Sequence, residues 1–163
     1  MAETTLSRRT DLLGLAASLL LCYALMVIAG IATAASVGTW FQTLNQPPFR
    51  PPDWLFGPVW FVLYTLMGIA AWRVWRIAGF SGARPALTLY GVQLALNFAW
   101  SFLFFGFRMI GLAFAEILVL LALVIATAIA FHRIDGWAAL MFVPYIAWVA
   151  FASLLNGSLW VLN

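Results

Sequence analysis

Runs of twenty or more mostly apolar residues recur along this chain, and no other feature restricts its fold so strongly. Crossing the hydrocarbon core of a bilayer as a helix takes about 20 apolar residues. Five segments meet that requirement: residues 12–35, 55–75, 86–107, 110–131 and 137–162. Inside lipid a segment must satisfy its own backbone polar groups, so each run is expected to be helical. The expected fold is therefore an all-α membrane protein, a five-transmembrane-helix bundle forming one domain over residues 1–163.

Composition agrees with lipid as the main solvent. Hydrophobic residues make up 66% of the chain and charged ones 8%, where a soluble domain carries about 25% charge. Nine Trp and four Tyr suit the membrane–water boundaries. The breaks between runs hold the turn formers and charges, at residues 36–54, 76–85, 106–108 and 132–136. The break at 106–108 is short enough to make its flanking helices antiparallel neighbours.

The cations are all arginine, scattered singly or in pairs, and form no basic stripe for nucleic acid. Arg8, Arg9, Arg73, Arg76, Arg84 and Arg133 fall on one side of the expected bundle, and Arg50 and Arg108 on the other. That bias puts the amino terminus in the cytoplasm and the 36–54 loop across the membrane; the sequence does not say which membrane. A second reading takes Ser7-Arg8-Arg9 and Ala32-Thr33-Ala34 as an export signal with its cleavage site. The apolar run between them is longer than the roughly 7–15 residues of a signal core. Cys22 and His132 are each the one residue of their kind. An intrachain disulfide, a CxxC motif and a multi-histidine metal site are thereby excluded, and no metal is expected.

Between the first two runs lies NQPPFRPPDWLFGPVW, residues 45–60, with five prolines. Proline lacks a backbone donor and fixes φ, so regular helix is not expected until after Pro58. Polar residues in the third run recur every four positions. Gln93, Asn97 and Ser101 share one helical face, while Gly91, Ala95 and Ala99 lie nearly opposite. The polar face is expected to look inward, and the small face to pair with a second copy in a homodimer. Tyr145, Trp148, Ala152 and Asn156 form a stripe on the fifth run, and Trp60, Tyr64 and Met67 or Gly68 another on the second. Three such stripes in one bundle describe a largely aromatic cavity with a few fixed hydrogen-bonding groups. Glu116, the one carboxylate inside a span, lies near Arg108. It reads either as a titrating group or, more simply, as a side chain reaching the interface.

WFQTLN (40–45), PPFRPPDWLFGPVWFVLYTLMG (47–68), QLALNFAWSFLFFG (93–106) and PYIAWVAFASLLN (144–156) together resemble the TspO/MBR family of tryptophan-rich sensory and translocator proteins. The resemblance implies five transmembrane helices, commonly a dimer, with the first loop folded over a binding pocket. It implies protoporphyrin IX or haem as a ligand, with no required cofactor, and binding of synthetic benzodiazepine-site compounds. By the same resemblance, Trp60 and Trp148 match tryptophans implicated in light-dependent porphyrin breakdown by some members. Asn97, Trp100, Ser101 and Ala152 match pocket-lining positions, and Trp40 and Phe41 loop positions near the pocket mouth. A flat ring bearing two carboxylates would need aromatic faces with indole and amide donors; apart from the resemblance, Arg50 could meet a carboxylate at the mouth by a charge-assisted bond. Two departures stand out. Gln46 replaces a lysine common in the family loop, and residues 156–163 lack the Tyr-and-Arg sterol motif of animal members, which lowers the expectation of sterol handling. Tetrapyrrole transport, sequestration or sensing is the first function expected, with light-dependent porphyrin degradation or lipid and sterol translocation as alternatives.

Overall fold

The protein is described from a computed structural model over residues 7–163. Residues 1–6 of the expected domain, and the terminus assigned to the cytoplasm, lie outside the described residues. Helix α1 runs Arg8–Val37, α2 Asp53–Ser101, α3 Ile110–His132 and α4 Gly136–Leu162, with no strand among the described residues. A 3-10 turn, Trp40–Thr43, interrupts the first loop, and a π-helical turn, Phe102–Gly106, ends the second long helix. All four helices are long and apolar enough to cross a membrane.

The count is four and not the expected five, because the break anticipated at residues 76–85 is mostly helical. Only Gly79 leaves the helical region there, at φ 65° and ψ 177°. That conformation is open to glycine and strained for other residues, so the chain reverses at one residue without a longer loop. The reversal is visible in the partners of the two arms. The Tyr64 hydroxyl donates to Asn97 Oδ1 at 2.5 Å, and Gln93 Nε2 lies 3.9 Å from Met67 Sδ.

The next reversal, at residues 107–109, matches the short break expected from sequence. Arg108 takes a positive φ of 58°, and Phe107 N–H closes the π turn onto Phe102 O at 2.7 Å. Tyr90 and Phe131 then meet with ring centroids 5.9 Å apart, as antiparallel neighbours must. Helix α1 packs along α2 and the π turn through polar contacts spaced down its length. Ser18 Oγ donates to Gly68 O at 2.7 Å, Cys22 Sγ lies 3.1 Å from Tyr90 Oη, and Ser36 Oγ donates to Phe105 O at 2.6 Å. Gly68 makes the first contact possible, since a Cβ there would sit 3.0 Å from Leu19 Cδ2. Ala32-Thr33-Ala34 is continuous helix within α1.

One ion pair fixes the turn between α3 and α4. Arg73 Nε donates to Asp135 Oδ2 at 2.5 Å and Nη2 to Oδ1 at 3.2 Å, while Asp135 accepts from Trp137 N at 3.2 Å as the cap of α4. The Arg73 guanidinium holds the Asp135 carboxyl below its ordinary value of 3.8. A lowered carboxyl contributes its full stability above the unfolded value and loses it as pH falls through the folded one. The pair is therefore fully effective at neutral pH and lost only in strong acid. Asp135→Asn is expected to cost about 1–2 kcal/mol at pH 7, toward the lower end because 30% of the Arg73 side chain meets solvent. Thermal unfolding in detergent at pH 7 and pH 3 checks this, with the gap between the two proteins narrowing at the lower pH.

Candidate functional site

Between α1, both arms of α2 and α4 lies a cavity of about 440 Å³, within the usual range for small-molecule sites. Its walls are mainly aromatic and small. Phe56 and Trp60 come from the start of α2, Trp100, Phe104 and Phe105 from its end and the π turn, and Trp148 and Ala152 from α4. Phe41, from the 3-10 turn of the first loop, also lines it. The rings pack in separate groups: Phe56 meets Trp148 at 5.8 Å, while Trp100 stacks on Phe104 at 5.2 Å and Phe41 meets Phe105 at 5.6 Å.

A chain of buried hydrogen bonds braces one wall. Tyr64 Oη donates to Asn97 Oδ1, Asn97 Nδ2 donates to Tyr145 Oη at 2.9 Å, and Tyr145 Oη donates to Gln93 Oε1 at 2.9 Å. These bonds join both arms of α2 to α4. A second brace runs from Trp100 Nε1 to Asn156 Oδ1 at 3.1 Å, and from Asn156 Nδ2 to Ile110 O at 3.0 Å. Buried polar groups need such partners in a lipid environment. Of the donors expected to serve a ligand, the single Trp100 N–H is therefore taken, and the Asn97 amide has spent one of its two N–H groups. Trp60, Trp148 and Ser101 also line the cavity, and none of their side chains hydrogen-bonds to another described residue.

The proline-rich loop contacts α4 and its carboxyl end. Asn45 N–H donates to Asn163 Oδ1 at 2.8 Å, and Asn163 Nδ2 donates back to Asn45 O at 3.2 Å. Phe49 reaches Phe151 of α4 at 6.4 Å. Gln46 Nε2 donates to Phe41 O at 2.6 Å, so the residue that departs from the family loop holds the 3-10 turn.

Residues 18–161 match the model of the TspO/MBR family. The chain belongs to this family. It is 43% identical over 123 residues to the translocator protein of Bos taurus, covering 74% of this chain and 73% of that one. It is 38% identical over 153 residues to the tryptophan-rich protein TspO of Archaeoglobus fulgidus, covering 94% and 99%. The tryptophan-rich sensory protein of Cereibacter sphaeroides is 41% identical over 124 residues, covering 76% and 77%. With four membrane-length helices, family membership makes this a multi-pass integral membrane protein.

Of the residues expected at the site from periodicity or from the resemblance, Phe41, Trp60, Tyr64, Asn97, Trp100, Ser101, Trp148 and Ala152 line the cavity. Trp40 and Tyr145 do not. Trp40 packs on Phe104 at 5.8 Å and receives the Arg108 guanidinium at 5.6 Å. Tyr145 is fully buried behind Trp60. Arg108 is thus engaged with a ring and not with Glu116, whose two carboxylate oxygens are buried with no partner among the described residues. Gly91 and Ala95 are exposed and Ala99 half-buried, on the outside of the bundle.

The contribution of α1 was not foreseen. Met26, Gly30, Ala34 and Val37 line the cavity at near-helical spacing, and small residues on an otherwise bulky span were the available signal. Asp53 was also missed. It is the one charged side chain among the described residues that line the cavity.

Proposed function

We propose that this protein crosses the bilayer five times and binds a tetrapyrrole, protoporphyrin IX or haem, in the cavity under the first loop. The observation that carries the reading is the set of aromatic side chains enclosing a void, Trp60 and Trp148 among them, with neither indole hydrogen-bonded to another described residue. Flat apolar rings stack on such faces, and indole donors suit their polar edges. For the five crossings, α2 would measure about 74 Å at 1.5 Å per residue, more than twice the roughly 30 Å core. Each arm is a span in its own right, and the pairing of Tyr64 with Asn97 places them side by side. The outward Gly91, Ala95 and Ala99 give a second copy a surface for close approach. Transport, sequestration and sensing all use this same site.

Light-dependent breakdown of the bound porphyrin is the second reading, favoured by Trp60 and Trp148 both facing the one cavity. Oxygen and light would supply the chemistry and the indoles would carry the transient oxidation. Titration of purified protein with protoporphyrin IX is expected to give saturable tryptophan quenching, and its absence would count against binding. Illumination of the same complex separates the two readings. Pigment loss that stops in the Trp60→Phe, Trp148→Phe double variant supports breakdown, and loss that continues removes the indoles from it.

A further inference from the structure

Arg50 and Asp53 form an ion pair at the edge of the cavity, and their placement bears on which ligands the site accepts. Asp53 lines the cavity, while no cation does among the described residues. A ligand carrying carboxylates would therefore meet apolar walls and one negative charge, and burying an unpaired anion against these is costly. The nearest remedy is Arg50. Its guanidinium lies over the Phe41 ring at 4.9 Å, and Phe41 is itself part of the cavity wall. Its bond to Asp53 runs through Nη2, while Nε is buried and donates to nothing among the described residues. A guanidinium has five N–H donors, so this one holds unused capacity beside the cavity.

We propose that Arg50 recognises the anionic edge of the ligand and that Asp53 holds it in reserve. This rests on the tetrapyrrole reading and assigns the ligand class more narrowly: a flat amphiphile with a carboxylate on one edge. On binding, the ligand carboxylate takes Arg50 from Asp53. Asp53 is not stranded by the exchange, because its Oδ2 keeps the bond from Gln42 Nε2 at 3.0 Å and 43% of its side chain meets solvent. The ligand then enters with its carboxylate edge under the loop and its apolar edge toward Tyr64 and Asn97. Arg108 is the other cation of the loop end, but its ring partner, Trp40, lies outside the lining.

The test compares protoporphyrin IX with its dimethyl ester, which keeps the ring and loses both charges. The readout is the ratio of free-acid to diester affinity. Arg50→Gln is expected to lower that ratio about tenfold, the size of one charge-assisted bond, and Arg50→Lys to restore part of it. Asp53→Asn, which removes the competitor, is expected to raise the ratio severalfold. A ratio unmoved by Arg50→Gln overturns the proposal, as does equal weakening of both ligands, which would mean damage to the loop alone. Saturable binding of neither ligand by the unaltered protein would overturn the tetrapyrrole reading itself, a result distinct from an unchanged ratio.

Discussion

Replacing Asn97 with leucine is expected to lower the stability of the folded bundle by about 2–3 kcal/mol, the largest cost foreseen for a single change of this size. The number and branching of heavy atoms are kept, so the loss is chiefly one of hydrogen bonding. Asn97 accepts from Tyr64 and donates to Tyr145, and all three side chains are buried. Without the amide, Tyr64 Oη has no acceptor, and Tyr145 keeps only its bond to Gln93. Partners found in a partly unfolded membrane state reduce such costs. A cycle with Tyr64→Phe tests the cause. If the Tyr64 hydroxyl is the stranded group, the double variant recovers about 1 kcal/mol relative to additivity. Strict additivity in thermal or denaturant unfolding would show that the chain of bonds is not what braces the wall.

Ala152→Trp is expected to remove ligand binding while leaving the fold in place. Ala152 is half-buried and faces the void from α4, so an indole there occupies space that the protein itself leaves empty. Affinity for protoporphyrin IX is expected to fall about thirtyfold or more, with little change in unfolding temperature. This contrast with Asn97→Leu is informative, since one change attacks the wall and the other the space. Undiminished quenching in Ala152→Trp would place the bound pigment elsewhere.

The helical architecture was legible because lipid leaves the chain few choices. Apolar runs of membrane length must be helices, and four helices of that kind are present. The sequence predicts a loop at residues 76–85, where the structure reverses at Gly79 alone. Glycine needs only one residue in the left-handed region to turn the chain, so helix persists on either side. Periodicity groups Gln93 with Asn97 and Tyr145 with Trp148 on common faces, and the first three are buried, but it carries no information on which of their groups already have partners. Tyr145 and Asn97 bond to each other, and only coordinates can separate an internal brace from an available donor. The contribution of α1 was hidden for a different reason. Its cavity face is made of small residues such as Gly30 and Ala34, which leave room without displaying chemistry. Trp40 shows the converse: a tryptophan at the expected place in the loop turns instead onto Phe104 and Arg108.

Determining the structure with protoporphyrin IX bound tests most directly whether the void beneath the proline-rich loop is a pigment site. The macrocycle should appear between the Trp60 and Trp148 indoles, carboxylates turned toward the loop. A macrocycle seated on the lipid-facing surface, with that void still empty at saturating pigment, would contradict it.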